Sequence, residues 1–242
     1  MRAGAFDRLF ERFDRHLREQ GYLAMGGQIV DATIVQARRP RLTAREKEAL
    51  ARGERTDDWK EQRARQIDRD GRWTLKRGRK RRTGKGSRRQ AEAIVVPEFG
   101  YKNHLSIDRA HGFVCRFAVT HAAAHDGHQL TYVLDPDNTA SAVWADSAYR
   151  SRANRAALER CGLMPAFQHA KPKGKALPAH IRRGNVTRAR IRCRIEHVFA
   201  AQKRRFHLVI GSVGLARARI ALVNLAYNLT RLVFWERRLA AG

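Results

Sequence analysis

Residues 26–35 read GGQIVDATIV, a short segment rich in β-branched residues and apolar apart from the single carboxylate of Asp31. Such a run is typical of a strand that is buried within a sheet. A charged side chain is costly to bury unless it binds a metal or another cation. The segment therefore predicts a core strand and makes Asp31 the first candidate functional residue.

Strands and helices follow this segment in mixed order. Two strands, 101–108 and 113–121, flank a turn and are expected to pair as a hairpin. Apolar residues at helical spacing between Phe6 and Leu17 predict an amphipathic helix that ends near Gly21. Further on, the patterns predict strands at 141–145 and 164–169 and helices at 151–161, 185–205 and 215–238. This mixture indicates an α/β domain, with α+β as the alternative.

The composition excludes several classes of protein. Of the 242 residues, 50 are Lys or Arg and 23 are Asp or Glu, a formal net charge of +27. A hydrophobic fraction of 43% excludes a wholly disordered basic tail. No apolar run is long enough for a transmembrane helix, and three widely spaced cysteines indicate reduced thiols. A surplus of this size points to a polyanionic partner, most commonly nucleic acid.

The positive charge is concentrated in two segments. Arg72 to Arg89 holds ten basic residues and no acid, and Lys171 to Arg205 holds twelve basic residues and one acid. Like charges repel one another, so the first block predicts a mobile loop that binds phosphates, with a solvated surface run or a localisation signal as the alternative. Lys102, at a strand start, is a further candidate for substrate contact. The DNA-binding candidates in these segments are Arg79, Lys80, Arg81, Arg82, Lys171 and Lys173, together with Lys102.

Three carboxylates stand out from the other acids. Asp31 interrupts a core strand, Asp146 ends the apolar run SAVWAD, and Glu196 is the lone acid of a basic helix. Asp146 by itself fits a cap of the turn 147–149 equally well. Three acids on three separate elements favour a site for magnesium or manganese, where two ions can stabilise the attacking and leaving oxygens of a phosphodiester displacement.

The helix around Glu196 allows two interpretations. Helical spacing places Arg192, Glu196 and Lys203 within an arc of roughly 40°. Glu196 is then either a metal ligand flanked by phosphate-binding cations or the centre of two ordinary salt bridges.

Several segments resemble the DDE transposases of bacterial insertion sequences, and most closely the family conventionally numbered five. The segments that carry the resemblance are IVDATIV, GYKNHLSID, AVTHAAAHD, LDPDN, ADSAYRS, RIRCRIEHVFAAQKR and ARARIALVNLAYNLTRL. The resemblance implies an RNase H-like fold, a mixed sheet flanked by helices. It also implies a metal-dependent enzyme that cuts DNA at the element's ends and joins it to target DNA.

The resemblance assigns roles to individual residues. Asp31, Asp146 and Glu196 match the catalytic residues and metal ligands, which would hold Mg²⁺ or Mn²⁺ as two ions. Arg192 and Lys203 match the basic members of the family's Tyr-x2-Arg-x3-Glu-x6-Lys signature, while Ala189 replaces its tyrosine. The implied partners are double-stranded DNA, as terminal inverted repeats and target, and either further copies of this chain or an upstream transposase product.

The resemblance also predicts how the chain is organised. Residues 1–22 are expected to form an N-terminal amphipathic helix, and residues 23–242 an RNase H-like catalytic domain with a basic insertion at 38–95. Family members usually carry a further N-terminal region ahead of this helix. A cytoplasmic, nucleoid-associated location without a membrane is expected.

Two other functions stay open. One is a truncated or inactive relative that only binds DNA or regulates a full-length partner. The other is a ribosome-associated or nucleoid basic protein, which would leave Asp31, Asp146 and Glu196 far apart.

Overall fold

A single mixed sheet forms the centre of the protein. The computed structural model describes residues 5–22, 26–39, 41–52, 68–80, 92–138, 142–172 and 174–241. Six strands lie in this sheet: β1 (Gln28–Gln36), β2 (Arg72–Lys80), β3 (Glu92–Asp108), β4 (Val114–His121), β5 (Ala142–Ala145) and β6 (Met164–Phe167). Their order is β2-β3-β1-β5-β6, with β4 also paired to β3. The predicted α/β class and the RNase H-like mixed sheet are consistent with this architecture.

Strand direction divides the sheet into two halves. The long strand β3 is antiparallel to β1, to β2 and to β4. Strands β1, β5 and β6 run parallel to one another. The predicted core strand and the predicted hairpin of 101–108 with 113–121 are therefore confirmed, although β3 begins nine residues earlier than expected.

Helices cover both faces of the sheet. They are α1 (Ala5–Glu19), α2 (Ala44–Ala51), α3 (Leu130–Val133), α4 (Arg152–Arg160), α5 (Ala179–Ala200) and α6 (Ala216–Ala240). One core cluster joins α1, α5 and α6 to the face that carries Ile29, Leu105 and Ile107. A second cluster joins α3 and α4 to the opposite face, where Val30 and Val143 lie. None of the helices in the described ranges is long and apolar enough to cross a lipid bilayer.

Gly100 allows β3 to change partners between β2 and β4. Its φ is +152°, and a Cβ there would lie 2.2 Å from the carbonyl oxygen of Val35. Only a residue without a side chain permits so close an approach between the β3 and β1 backbones. The carbonyl of Gly100 also accepts a hydrogen bond from the Ala122 amide, 3.0 Å away.

The expectation of a mobile loop at 72–89 is wrong for residues 72–80. They form β2, which pairs with β3 from Arg72 opposite Gly100 to Lys80 opposite Glu92. The expectation failed because successive strand residues point to opposite faces, so a run of like charges in sequence is not a run of neighbours in space. Charged side chains also suit an edge strand, since they discourage pairing with other chains. Residues 81–91 lie outside the described residues.

Helix α5 begins six residues earlier than predicted and continues into a π-helical turn, Ala201–Arg205. The Phe206 amide donates to the carbonyl of Ala201, 3.1 Å away, an i→i+5 bond. Gln202, fully buried in this turn, donates to Asn224 of α6 at 2.8 Å. Asn103 of β3 donates to both of these side chains, so three amides from three elements fix the turn.

Candidate active site

The register of the sheet brings Asp31 and Asp146 side by side. Ile29 of β1 pairs with Trp144 of β5 in parallel; Asp31 lies two residues further along β1, and Asp146 directly follows Ala145, the last residue of β5. Ile29 and Trp144 both pack in the cluster under α5. Because strand side chains alternate between faces, both aspartates are expected on this face as well.

Asp31 is a buried carboxylate with one cation against it. It is 9% exposed; Oδ1 accepts from the Ala32 amide at 2.8 Å, and Oδ2 accepts from Nη1 of Arg192. Burial raises the pKa of Asp31 to about 7, although Arg192 and the Ala32 bond act in the opposite direction. The charges of Asp146 and Glu196 raise it further. The three acids are therefore close enough to interact, unlike the arrangement that a ribosome-associated or nucleoid protein predicts.

Asp146 has one engaged oxygen and one free oxygen. It is the N-cap of the 3-10 turn Ser147–Tyr149, and its Oδ1 accepts from the Ala148 amide at 2.7 Å. The capping interpretation is thus correct for this oxygen. Within the described residues the second oxygen makes no hydrogen bond or ion pair, so capping leaves it available to a ligand.

Glu196 reaches the same group from α5. Its side chain is 59% exposed, and Nη1 of Arg192 lies 3.8 Å from its Oε1. Ile195, Val198 and Phe199 next to it are buried against the sheet, which fixes the helix at this level. Arg192 therefore bridges an acid of β1 and an acid of its own helix.

Lys203 lies in the π-helical turn and makes no ion pair with the three acids within the described residues. The π-helical turn changes the angle between successive residues after Ala200. Partial desolvation and the charge of Lys76 lower the pKa of Lys203, whose surface stays open to solvent, while Glu98 and Glu196 act in the opposite direction. Of the two salt bridges considered for Glu196, the described residues show only the one with Arg192.

The other DNA-binding candidates fall in different places. Nζ of Lys102 donates to the Ala124 carbonyl at 2.7 Å and lies 2.8 Å from Oδ1 of Asp126. Lys102 pairs with Ile34, so by strand alternation it is on the face opposite to Asp31. Lys171 is exposed in the loop after β6. Arg79 and Lys80 are the last two residues of β2. Arg81, Arg82 and Lys173 lie outside the described residues.

A second buried polar group was not predicted from the sequence. His104 is fully buried, its Nε2 lies 2.8 Å from Oγ1 of Thr120, and burial lowers its pKa to about 4. The hydroxyl of Tyr149 is buried and has no hydrogen-bond partner among the residues that the structure describes. Burial raises the pKa of Tyr149, and the charges of Asp31, Asp126 and Asp146 act in the same direction. Polar residues alternating within a core strand, as in GYKNHLSID, are the signal that could have indicated such a group.

Carboxylate oxygens are the kind of ligand that a hard divalent cation prefers, but the three acids are not close enough together in this structure to coordinate one ion. Within the described residues no three His, Cys, Asp or Glu side chains are placed to hold a metal ion. The donors are carboxylate oxygens, which magnesium and manganese prefer. A buried Asp31 with two further acids nearby is stabilised by added positive charge, and the Arg192 guanidinium supplies it in this structure.

The fold and the acidic group together define a class of protein. A six-stranded mixed sheet flanked by helices, with two aspartates on neighbouring parallel strands and a glutamate on a covering helix, is consistent with an RNase H-like domain.

Comparison with known families agrees. A family model for the transposase DDE domain matches residues 23–229, and the chain belongs to this family of DDE transposases. Its members act on DNA and are generally dependent on divalent metal ions. No solved structure matches the chain.

Proposed function

We propose that this protein is the transposase of a bacterial insertion sequence, which cleaves DNA at the element's ends and transfers the freed strands into target DNA. The observation that supports the proposal is the buried Asp31 carboxylate, on which the charges of Asp146 and Glu196 act, within a chain of the DDE transposase family. The three acids are the proposed catalytic residues and metal ligands, for two Mg²⁺ or Mn²⁺ ions.

The acids differ in how they are held. Asp31 is fixed by β1 and by the Ala32 amide, and Asp146 by its cap, so the sheet orients both carboxylates before a ligand binds. Glu196 is exposed and free to adjust. When bound, the divalent ions would stabilise the attacking and leaving oxygens of the phosphodiester. Arg192 would then release Asp31 and bind a DNA phosphate.

The remaining basic candidates would bind the DNA backbone outside this centre. They are Lys203, Lys102, Lys171, Lys173 and Arg79–Arg82. Binding through phosphates weakens steeply with added salt because each contact releases counterions. Residues 1–22 and 23–242, with an insertion at 38–95, are the proposed units of the chain. We also propose that the chain assembles with further copies of itself or with an upstream transposase product, and that it acts at the nucleoid.

Strand cleavage of labelled DNA carrying the element's terminal repeats tests the proposal. The variant is Asp146→Asn, because asparagine keeps the cap to Ala148 while it removes the charge. We expect metal-dependent cleavage that falls by at least about 10²-fold in Asp146→Asn. Asp137→Asn, an exposed acid in a turn, is the matched control and should cleave normally.

A second candidate function is DNA binding without cleavage. The ion pair between Asp31 and Arg192 and the open ligand set favour it. It predicts firm DNA binding and no cleavage with either metal, and equal behaviour of the wild type and Asp146→Asn.

A further inference from the structure

His169 lies in the loop that follows β6, and the charges of several cations from neighbouring elements act on it. Asn185 of α5 fixes this loop at two points. Its Oδ1 accepts from the His169 amide at 2.9 Å, and its Nδ2 donates to the His169 carbonyl at 2.9 Å. Because both backbone groups are held by one side chain, the position of His169 relative to α5 is set by the fold.

Arg188 lies on the same side of α5 and extends back along the helix. Its Nη1 lies 2.8 Å from where a Cβ on Gly184 would be, so the guanidinium occupies the space that a side chain there would fill. Glycine within a helix is unfavourable compared with alanine. A glycine at position 184 leaves room for the guanidinium of Arg188, one turn later in α5. His180 lies one turn before Gly184 in the same helix.

Two more arginines belong to the elements that follow β5. The Gln168 amide donates to the Ala145 carbonyl at 3.1 Å, so the loop with His169 begins beside the end of β5. Arg150 follows the turn that Asp146 caps, and Arg155 lies in the first turn of α4. Desolvation lowers the pKa of His169, and the charges of Arg150, Arg188, Arg155 and His180 lower it further.

These cations have no counter-charge in the described part of the chain. No ion pair or side-chain hydrogen bond there involves Arg150, Arg155 or Arg188. Elsewhere in the same ranges, Arg18 is paired with Asp14 and Asp135, and Arg217 with Asp7. Like charges held together without a partner are relieved by an anion, and the exposure of Arg150, Arg155 and His180 leaves the group open to one.

We propose that Arg150, Arg155, His169, His180 and Arg188 bind a backbone phosphate of DNA next to Asp146. The identity of the anion as DNA rests on the proposed function. Arg150 lies four residues after Asp146, and Arg188 lies on the helix of Glu196, so a phosphate bound here would lie beside the acidic centre. Arg188, Arg192 and Glu196 follow one another at four-residue steps on α5, so the phosphate site and the acids share one stripe of the helix.

DNA affinity measured in EDTA tests this site without any cleavage. The assay is fluorescence anisotropy of a short labelled duplex over a range of salt concentrations. For Arg188→Gln and for Arg150→Gln we expect roughly tenfold weaker binding at low salt and a salt slope smaller by about 1. Arg160→Gln removes the same charge at the exposed far end of α4 and is the matched control. Equal losses in Arg188→Gln and Arg160→Gln would overturn the proposal.

Gly184→Ala gives a sharper test because it keeps every charge. The added methyl displaces the Arg188 guanidinium, and alanine favours the helix, so we expect about threefold weaker DNA binding with an unchanged or higher Tm. Unchanged affinity would contradict the proposal, as would an affinity loss that only accompanies a lower Tm.

The imidazole resonances of His169 report which anion binds. We expect the pKa of His169 to rise when duplex DNA is added, because a phosphate offsets the surrounding arginines. A rise with inorganic phosphate but not with DNA would show a site for a free anion and overturn the proposal. Absence of cleavage in the wild type would refute the proposed catalysis while these binding results stood, so the two failures are distinguishable.

Discussion

Arg18 and Arg192 each link a carboxylate of their own helix to a carboxylate of another element, yet the two regions differ. Nε of Arg18 lies 2.9 Å from Asp14, its Nη2 lies 2.9 Å from Asp135, and its Nη1 lies 3.5 Å from Asp137. All three acids in that region share the arginine. Arg192 contacts Asp31 and lies 3.8 Å from Glu196, while Asp146 makes no ion pair within the described residues.

The difference shows that a count of acids around an arginine does not identify a functional site. The backbone of Asp135 in the Arg18 region is also held in place. Its amide donates to the side chain of Gln28, and its carbonyl accepts from the same side chain. Each of the three acids in that region contacts Arg18, although burial and the charge of Asp135 raise the pKa of Asp14. In the Asp31 region, burial raises the pKa of Asp31 to about 7, and the charges of Asp146 and Glu196 act in the same direction. The two regions have the same ratio of acids to arginine, but Asp146 contacts no arginine among the described residues, so one of its oxygens is left for an added cation.

The largest expected effect is opposite in sign at the two regions. Asp135 is 1% exposed, and Asp135→Asn removes the charge that pairs with Arg18, so we expect a loss of about 3 kcal/mol in the free energy of unfolding. Asp31→Asn removes a buried charge whose ionised form is unfavourable, so the free energy of unfolding should rise at pH 8 in EDTA. Urea unfolding of both variants measures this. A loss of similar size in both would show that Asp31 is an ordinary structural acid.

The pH dependence of Asp31 sharpens the comparison. Its folded pKa of about 7 lies above the unfolded value near 3.9, so between these limits the folded state binds the extra proton. Stability supplied by this group is therefore lost as pH rises from about 4 to 7. We expect the stability advantage of Asp31→Asn over the wild type to grow by about 4 kcal/mol across that window and then level off.

Because His104 also titrates, the quantity to measure is the difference in the free energy of unfolding between the wild type and Asp31→Asn. The pKa of His104 is lowered to about 4, so its contribution has the opposite sign and is lost as pH falls below about 6.5. Both proteins carry His104, so its contribution cancels in the difference. A difference that stays constant from pH 4.5 to 8.5 would contradict the assignment to Asp31.

Divalent metal should affect one region only. At ten times its dissociation constant, a bound Mg²⁺ or Mn²⁺ adds about 1.4 kcal/mol to the free energy of unfolding. We expect a rise in Tm with metal for the wild type and for Asp135→Asn, but not for Asp146→Asn. An equal rise in all three would place the ion elsewhere.

The smallest effect concerns stability at Gly184. Gly184→Ala should raise the free energy of unfolding by about 0.5–1 kcal/mol, because the Arg188 guanidinium is the far end of a flexible side chain and can move. Thermal unfolding measures it, with Ala189→Gly as the reverse control, which should lower stability by a similar amount. A destabilised Gly184→Ala would mean that the guanidinium is held rigidly.

Local patterns were sufficient for much of the fold and for the positions of the three acids. The apolar run QIVDATIV and the turn between the two hairpin strands act over a few residues, and the structure has the buried strand and the hairpin that they predict. The strand β2 was missed because its pairing partner supplies the stability that its charges do not indicate.

The contacts within the site could not be predicted because they join distant residues. Arg192 and Asp31 are 161 positions apart. The cations around His169 come from loops and helices whose proximity depends on the order of β5 and β6 in the sheet. The spacing of Glu196 and Lys203 predicts a uniform helix. The π-helical turn that contains Lys203 has no simple sequence pattern that would indicate it.

That turn makes the length of the chain at 201–205 critical. Removing one residue there would restore ordinary helical winding and rotate everything downstream by about 100° relative to α5. Leu208 and Ile210 would leave the core, and the bridge from Ile210 to Ala37 beside β1 would break. Homologous chains should therefore tolerate substitutions in this segment far better than deletions, and a one-residue gap there would mark a protein whose last helix docks differently.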